Sequence, residues 1–117
     1  MLNTVAELPA YRSFAEKQMS AEERQAIIDY LAEHPKAGDV MQGTGGVRKL
    51  RWGKGGRGKS GGVRVVYYYH DERLPLYLLT LFAKNEKANL TARERNMLAS
   101  LVNTLVATAL EKFNESI

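Results

Sequence analysis

Seven basic residues and no acidic one lie between Arg48 and Arg64: Arg48, Lys49, Arg51, Lys54, Arg57, Lys59 and Arg64. Outside that window ten basic residues face thirteen acidic ones, so the net charge of +4 is a local feature of the chain. A concentrated cationic patch draws phosphate groups, and its long-range pull weakens with salt. A charge run by itself can be a solubilising face. Glycine accompanies this one, since all ten glycines fall between Gly38 and Gly62, and that combination favours a phosphate-binding reading.

Residue parity sharpens the reading, because residues two apart on a strand share a face. Three strands are predicted here: Val47 to Trp52, Val63 to His70 and Leu76 to Ala83. On the first, Lys49 and Arg51 share one side while Leu50 and Trp52 point to the other. On the second, Arg64, Val66 and Tyr68 go together, and Phe82 and Lys84 share a side at the exit of the third. If these faces coincide, Lys49, Arg51, Arg64 and Lys84 surround one concave surface, overhung by Lys54, Arg57 and Lys59 from the glycine-rich tip. Arg64 interrupts an otherwise apolar strand and is the hardest of these to explain as a surface charge; Arg57 is the easiest. Tyr68, Phe82 and Trp52 have the rings to stack on a base, although rings so placed more often belong to a core. Lys87 adds charge beyond the strand exit, where Glu86 is placed to pair with it or with Lys84.

Two familiar patterns are decoys. Gly53, Gly58, Lys59 and Ser60 satisfy the phosphate-loop spacing G-x-x-x-x-G-K-S, but that device needs a helix to follow, and here a β-branched run follows instead. The two histidines, His34 at a helix end and His70 at a turn, are expected to lie too far apart to act together.

The elements that must position the patch can be read around it. Leu2 to Ala6 suits a short first strand, and Pro9 suits the first turn of a helix holding Tyr11, Phe14 and Ala15. Ser20 and Glu23 form a capping-box pair for a second helix that ends at His34 and Pro35. Asp71 to Leu74 reads as a turn into Pro75, and Leu76 to Ala83, being nearly all apolar, is expected to be central in the sheet. Thr91 and Glu94 open a last helix whose apolar stripe runs from Met97 to Phe113; beyond about Ala107 that stripe is expected to be free or to dock on a partner. The expected fold is α+β in the order β-α-α-β-β-β-α, a mainly antiparallel sheet packed against helices, in one domain spanning 1–117. With no cysteine, neither a disulfide framework nor a thiolate metal site is possible. No secretory leader is read in MLNTVAELPAYRSF and no run is long enough to span a bilayer, so a cytoplasmic protein without membrane contact is expected.

The motifs GTGGVRKLRW, the Gly- and Lys-rich tip, GGVRVVYYY and LYLLTLFAKNEKANLT together resemble RelE-type toxins, especially their HigB-like branch, over roughly Pro35 to Arg95. The resemblance implies a metal-independent endoribonuclease without cofactor, which cleaves messenger RNA in the ribosomal A site and is inhibited by a helix-turn-helix antitoxin of the HigA-like kind. It maps the family's lysine pair onto Lys49 and Arg51, its strand arginine onto Arg64 and the basic exit of its last strand onto Lys84. Asn85 stands where the family has a further catalytic arginine, and Thr91 where it has a terminal tyrosine. The HigB-like branch relies on tip lysines, which makes Lys54 and Lys59 the candidates to fill that gap. The implied catalytic set is Arg64, Lys84, Lys54 and Lys59; Lys49, Arg51, Arg57, Lys87, Tyr68 and Phe82 would bind RNA, and none would hold a metal. Two other functions keep the same features: a ParE-like inhibitor of DNA gyrase, and an RNA-binding module that cuts nothing.

Overall fold

In the computed structural model, residues 3–53, 62–84, 86, 87 and 89–115 are described. The chain runs β1 (Val5–Glu7), α1 (Pro9–Gln18), α2 (Ala21–Glu33), β2 (Asp39–Val40), β3 (Arg48–Trp52), β4 (Val63–Tyr68), β5 (Leu76–Ala83) and α3 (Ala92–Glu115). The strands form one sheet in the order β1-β5-β4-β3-β2, antiparallel except for the β1–β5 pair. The α+β class and the expected order of elements hold, with β2 as an addition. Its two residues are exposed and lack the apolar alternation that marks a strand; pairing with β3 defines it. Among the described residues the first strand lies at Val5–Glu7 rather than Leu2 to Ala6. β5 is an interior strand, as expected, between β1 and β4, and β4 beside it has all six residues buried.

The helices start where their caps dictate. Ser20 Oγ accepts from the Glu23 amide at 3.2 Å, and the Glu23 carboxylate accepts from the Ser20 amide, which closes the box at the start of α2. Thr91 and Glu94 repeat the exchange ahead of α3. Pro9 opens α1, where its missing N–H costs nothing.

The sheet has a core on each side. Under α1 and α2, Tyr11, Ala15, Ile27 and Leu31 meet Val63, Val65, Tyr67, Leu76, Leu78 and Leu81, with Leu50 and Trp52 packed alongside. Under α3, Val102 meets Met41, Val47, Val66, Tyr68, Leu79, Phe82 and Leu90. Each fully buried large apolar side chain contributes about 1.5–3 kcal/mol. Alternation along β4 divides its residues cleanly between the two cores. Along β5 it slips: Val66 pairs with Thr80 and Tyr67 with Leu78, leaving Leu79 as the extra residue of a bulge. As a result Leu78 and Leu81, three apart, both reach the α1/α2 side, while Leu79 and Phe82 both reach the α3 side.

α3 is held by a narrow stripe. Leu98, Val102, Leu105 and Val106 touch the second core, no residue beyond Val106 joins either core among the described residues, and Met97 and Leu101 are exposed. Close approach governs two glycines. A Cβ on Gly62 would lie 2.3 Å from the Trp52 carbonyl oxygen where β3 and β4 meet, and one on Gly38 would lie 2.9 Å from the Lys49 carbonyl oxygen. Gly38 instead donates its amide to the buried Tyr67 hydroxyl at 2.8 Å, which moors the chain entering β2.

Candidate active site

Strand register assembles the cationic face. Arg51 on β3 is the Cα partner of Arg64 on β4, which in turn is the partner of Phe82 on β5; one step along, Lys49 lies opposite Val66 and Val66 opposite Thr80. Directly paired residues share a face, so Lys49, Arg51, Arg64 and Phe82 stand on the α3 side of the sheet. Leu50 and Trp52 go to the α1/α2 side, Trp52 edge-on to Tyr30.

Arg64 is the unusual member. It is 7% exposed, and its Nη1 is buried without a hydrogen-bond partner among the described residues. Burial pushes its pKa below the ordinary value, and the neighbouring Arg51 guanidinium pushes the same way. An arginine keeps its proton in spite of this. Two costs coincide: an unsatisfied buried donor costs about 1–3 kcal/mol, and like charges directly across a ladder repel. Such an arrangement has the form of a binding place for an anion, which would supply the missing acceptor and neutralise both guanidinium groups.

The remaining sequence candidates are distributed as follows. Lys84 is exposed just past β5, and its amide donates to the Gly62 carbonyl at 3.1 Å, so it continues the ladder two residues beyond Arg64. Lys49 donates to Asn89 Oδ1 at 3.3 Å. Lys87 is paired with Glu94, its ammonium 5.4 Å from the centre of the Phe82 ring; that pairing holds the Glu94 carboxyl below its usual range. Phe82 and Tyr68 belong to the second core, 6% and 9% exposed, rather than to an open stacking surface. The Tyr68 hydroxyl lies 3.0 Å from His70 Nδ1, and burial raises its pKa. His34 stacks on Tyr30 at the end of α2, so the two histidines serve separate neighbours. Lys54, Arg57 and Lys59 lie outside the described residues, as does Asn85. The strand β4, not a helix, follows the phosphate-loop-like run, which removes the basis for nucleotide binding there.

Sequence reasoning missed Asp39, Gln42, Asn89 and Arg95, which line a hollow beside Lys49. Nothing in their local spacing announces them, because contact between β2, β3 and the approach to α3 brings them together. Among the described residues no group of three or more His, Asp or Glu side chains is placed to hold a metal ion, and no helix is long and apolar enough to cross a membrane.

Comparison with known proteins bears on this geometry. A family model described as the RelE toxin of the RelE/RelB toxin-antitoxin system matches residues 11–117. Among solved structures, a double arginine-to-alanine mutant of the E. coli toxin RelE in the free state superposes with a TM-score of 0.54 at 16% identity, covering 74% of this chain and 88% of that one. At that identity the likeness is one of fold, and it extends to the layered α+β arrangement described above.

Proposed function

Because the chain belongs to the RelE toxin family, we propose that it is a metal-independent endoribonuclease of the HigB-like branch that cuts messenger RNA in the ribosomal A site. One observation carries this reading: the buried guanidinium of Arg64, with an open nitrogen, directly opposite Arg51. RNA carries its own nucleophile. Once the 2′-hydroxyl gives up its proton, its oxygen attacks the adjacent phosphorus, the bond to the 5′-oxygen breaks, and that oxygen takes up a proton. The products are a 2′,3′-cyclic phosphate and a 5′-hydroxyl. Negative charge accumulates on the non-bridging oxygens at the crowded stage, where a permanently charged, forked guanidinium stabilises it most. Arg64 fills that role, and Arg51 adds charge and holds the strand. Removing and donating protons falls to lysines: Lys84 at the strand exit and Lys54 or Lys59 from the tip. Lys49, Arg57 and Lys87 guide the RNA backbone.

The partners in this reading are the ribosome, which aligns the message, and an antitoxin of the helix-turn-helix, HigA-like kind, both in the cytoplasm. Toeprinting of messenger RNA in a translation extract tests the proposal. Cuts in the A site are expected with the wild-type chain, and none with folded Arg64→Ala or Lys84→Ala variants. Full toxicity of the folded double variant refutes the site. Loss of DNA supercoiling without cuts would identify a gyrase inhibitor, and protection of RNA without cuts a binding module.

A further inference from the structure

Next to the cationic face, β2, the turn after it and the approach to α3 enclose a hollow of about 550 Å³ lined by Asp39, Gln42, Lys49, Asn89 and Arg95, with Val40 and Met41. Asp39 is the Cα partner of Lys49, so the two stand side by side on the face that carries Arg51 and Arg64. The pair does not close. Lys49 turns to Asn89 Oδ1, and the Asp39 carboxylate makes neither an ion pair nor a hydrogen bond among the described residues. Asn89 Oδ1 also accepts from the Leu90 amide at 2.9 Å, which fixes the side chain and leaves its NH₂ as a donor. Arg95 is anchored through Nη1 to the Leu90 carbonyl at 2.9 Å, with its other N–H groups uncommitted. The Gln42 amide has no partner among the described residues. The hollow thus offers one uncommitted carboxylate among several donors.

Resting on the nuclease reading above, we propose that this hollow seats the nucleobase beside the cut phosphate and that Asp39 makes it read guanine. Lys49 lies two residues from Arg51, about 7 Å along the strand, a distance of the order of one nucleotide step from the phosphate held by the arginines. Among the four RNA bases, guanine places two neighbouring N–H donors, on N1 and N2, on its pairing edge. A carboxylate accepts both at once. Its O6 and N7 are acceptors, which Asn89, Gln42 and Arg95 are equipped to meet.

The test varies a single base of the A-site codon in ribosome complexes and measures cleavage by primer extension for the wild-type chain, Asp39→Asn and Asp39→Ala. Asp39 is exposed on a two-residue strand, and circular dichroism checks that each variant is folded. Wild type should favour guanine at the base next to the cut. In Asp39→Asn the guanine-to-adenine ratio should fall on the order of tenfold, since an amide pairs with adenine instead; Asp39→Ala should discriminate little. An unchanged base profile in both variants overturns the proposal, and so does a uniform fall for all four bases. If the wild-type chain cuts no message, the nuclease reading has failed, and binding of guanosine and adenosine monophosphates judges the hollow separately. An Asp39-dependent preference for the guanine nucleotide, followed through the Asn89 side-chain amide resonances, supports it; equal binding overturns it.

Discussion

Replacing Arg64 with methionine should make the protein more stable and less active at once. The substitution removes a buried Nη1 that has no partner and separates β4 from the like charge of Arg51 opposite. Methionine is unbranched and adaptable, so it fills much of the same space. Relief of one unsatisfied buried donor is worth about 1–3 kcal/mol, and exchange of buried charge for apolar side chains stabilises other proteins by similar amounts. At about 4 °C per kcal/mol for a chain of this size, the melting temperature should rise by roughly 4–12 °C. Cleavage should fall on the order of 10²–10³-fold, the usual effect of deleting a donor that stabilises transition-state charge. Thermal unfolding by circular dichroism and primer extension on ribosome complexes measure the two effects. Inorganic phosphate supplies a third readout: it should raise the melting temperature of the wild type, whose native state offers the site, and not that of the variant. A variant that melts lower, cuts normally or responds to phosphate as the wild type does would show that Arg64 serves the fold alone.

Other perturbations probe the frame around the site. Tyr67→Phe takes away the acceptor of the Gly38 amide, which should cost about 1–3 kcal/mol by urea unfolding and speed hydrogen exchange at Gly38; unchanged protection there would discount the mooring of β2. Arg51→Ala should make the dependence of log affinity on log salt for single-stranded RNA shallower by about 0.7, and an equal slope would place Arg51 away from the phosphates. Asp71, bonded to Arg73, has its carboxyl held down at about 2 from an ordinary 3.8. As pH falls the unfolded chain takes up that proton first, so the stabilisation is whole above pH 3.8 and is lost as pH drops through about 2. Asp71→Asn should therefore flatten that part of the pH profile of the urea midpoint, and an unaltered acid limb counts against the pair.

Much of this molecule is written locally. The Ser20–Glu23 and Thr91–Glu94 boxes mark where α2 and α3 begin, and the apolar run from Leu76 to Ala83 marks β5 to the residue. Strand parity also sufficed to put Lys49, Arg51 and Arg64 on one face, because β3 and β4 pair without irregularity over those residues. The rest depends on partners distant in the chain. β2 exists because Asp39 and Val40 meet Lys49 and Arg48, and the Leu79 bulge because Leu78 and Leu81 must both reach the α1/α2 core. The burial of Arg64, Phe82 and Tyr68 likewise required knowing where α3 lies. Asp39, Gln42, Asn89 and Arg95 converge from separate elements, so no window of sequence contains their relationship.

The bulge at Leu79 has a bearing on how this chain tolerates change in length. It works as a phase shifter: residues before it and after it obey the same alternation with opposite sign. Substitutions in β5 are felt one side chain at a time, but removal of Leu79 would bring the two segments back into step. The ladder would keep its pairs, Tyr67 with Leu78, Val66 with Thr80 and Val65 with Leu81, so Leu81 and Phe82 would keep their sides and the core under α3 would lose only the Leu79 side chain. The bulge thus adds one apolar side chain to the floor near the arginines without altering which residues face it farther along the strand.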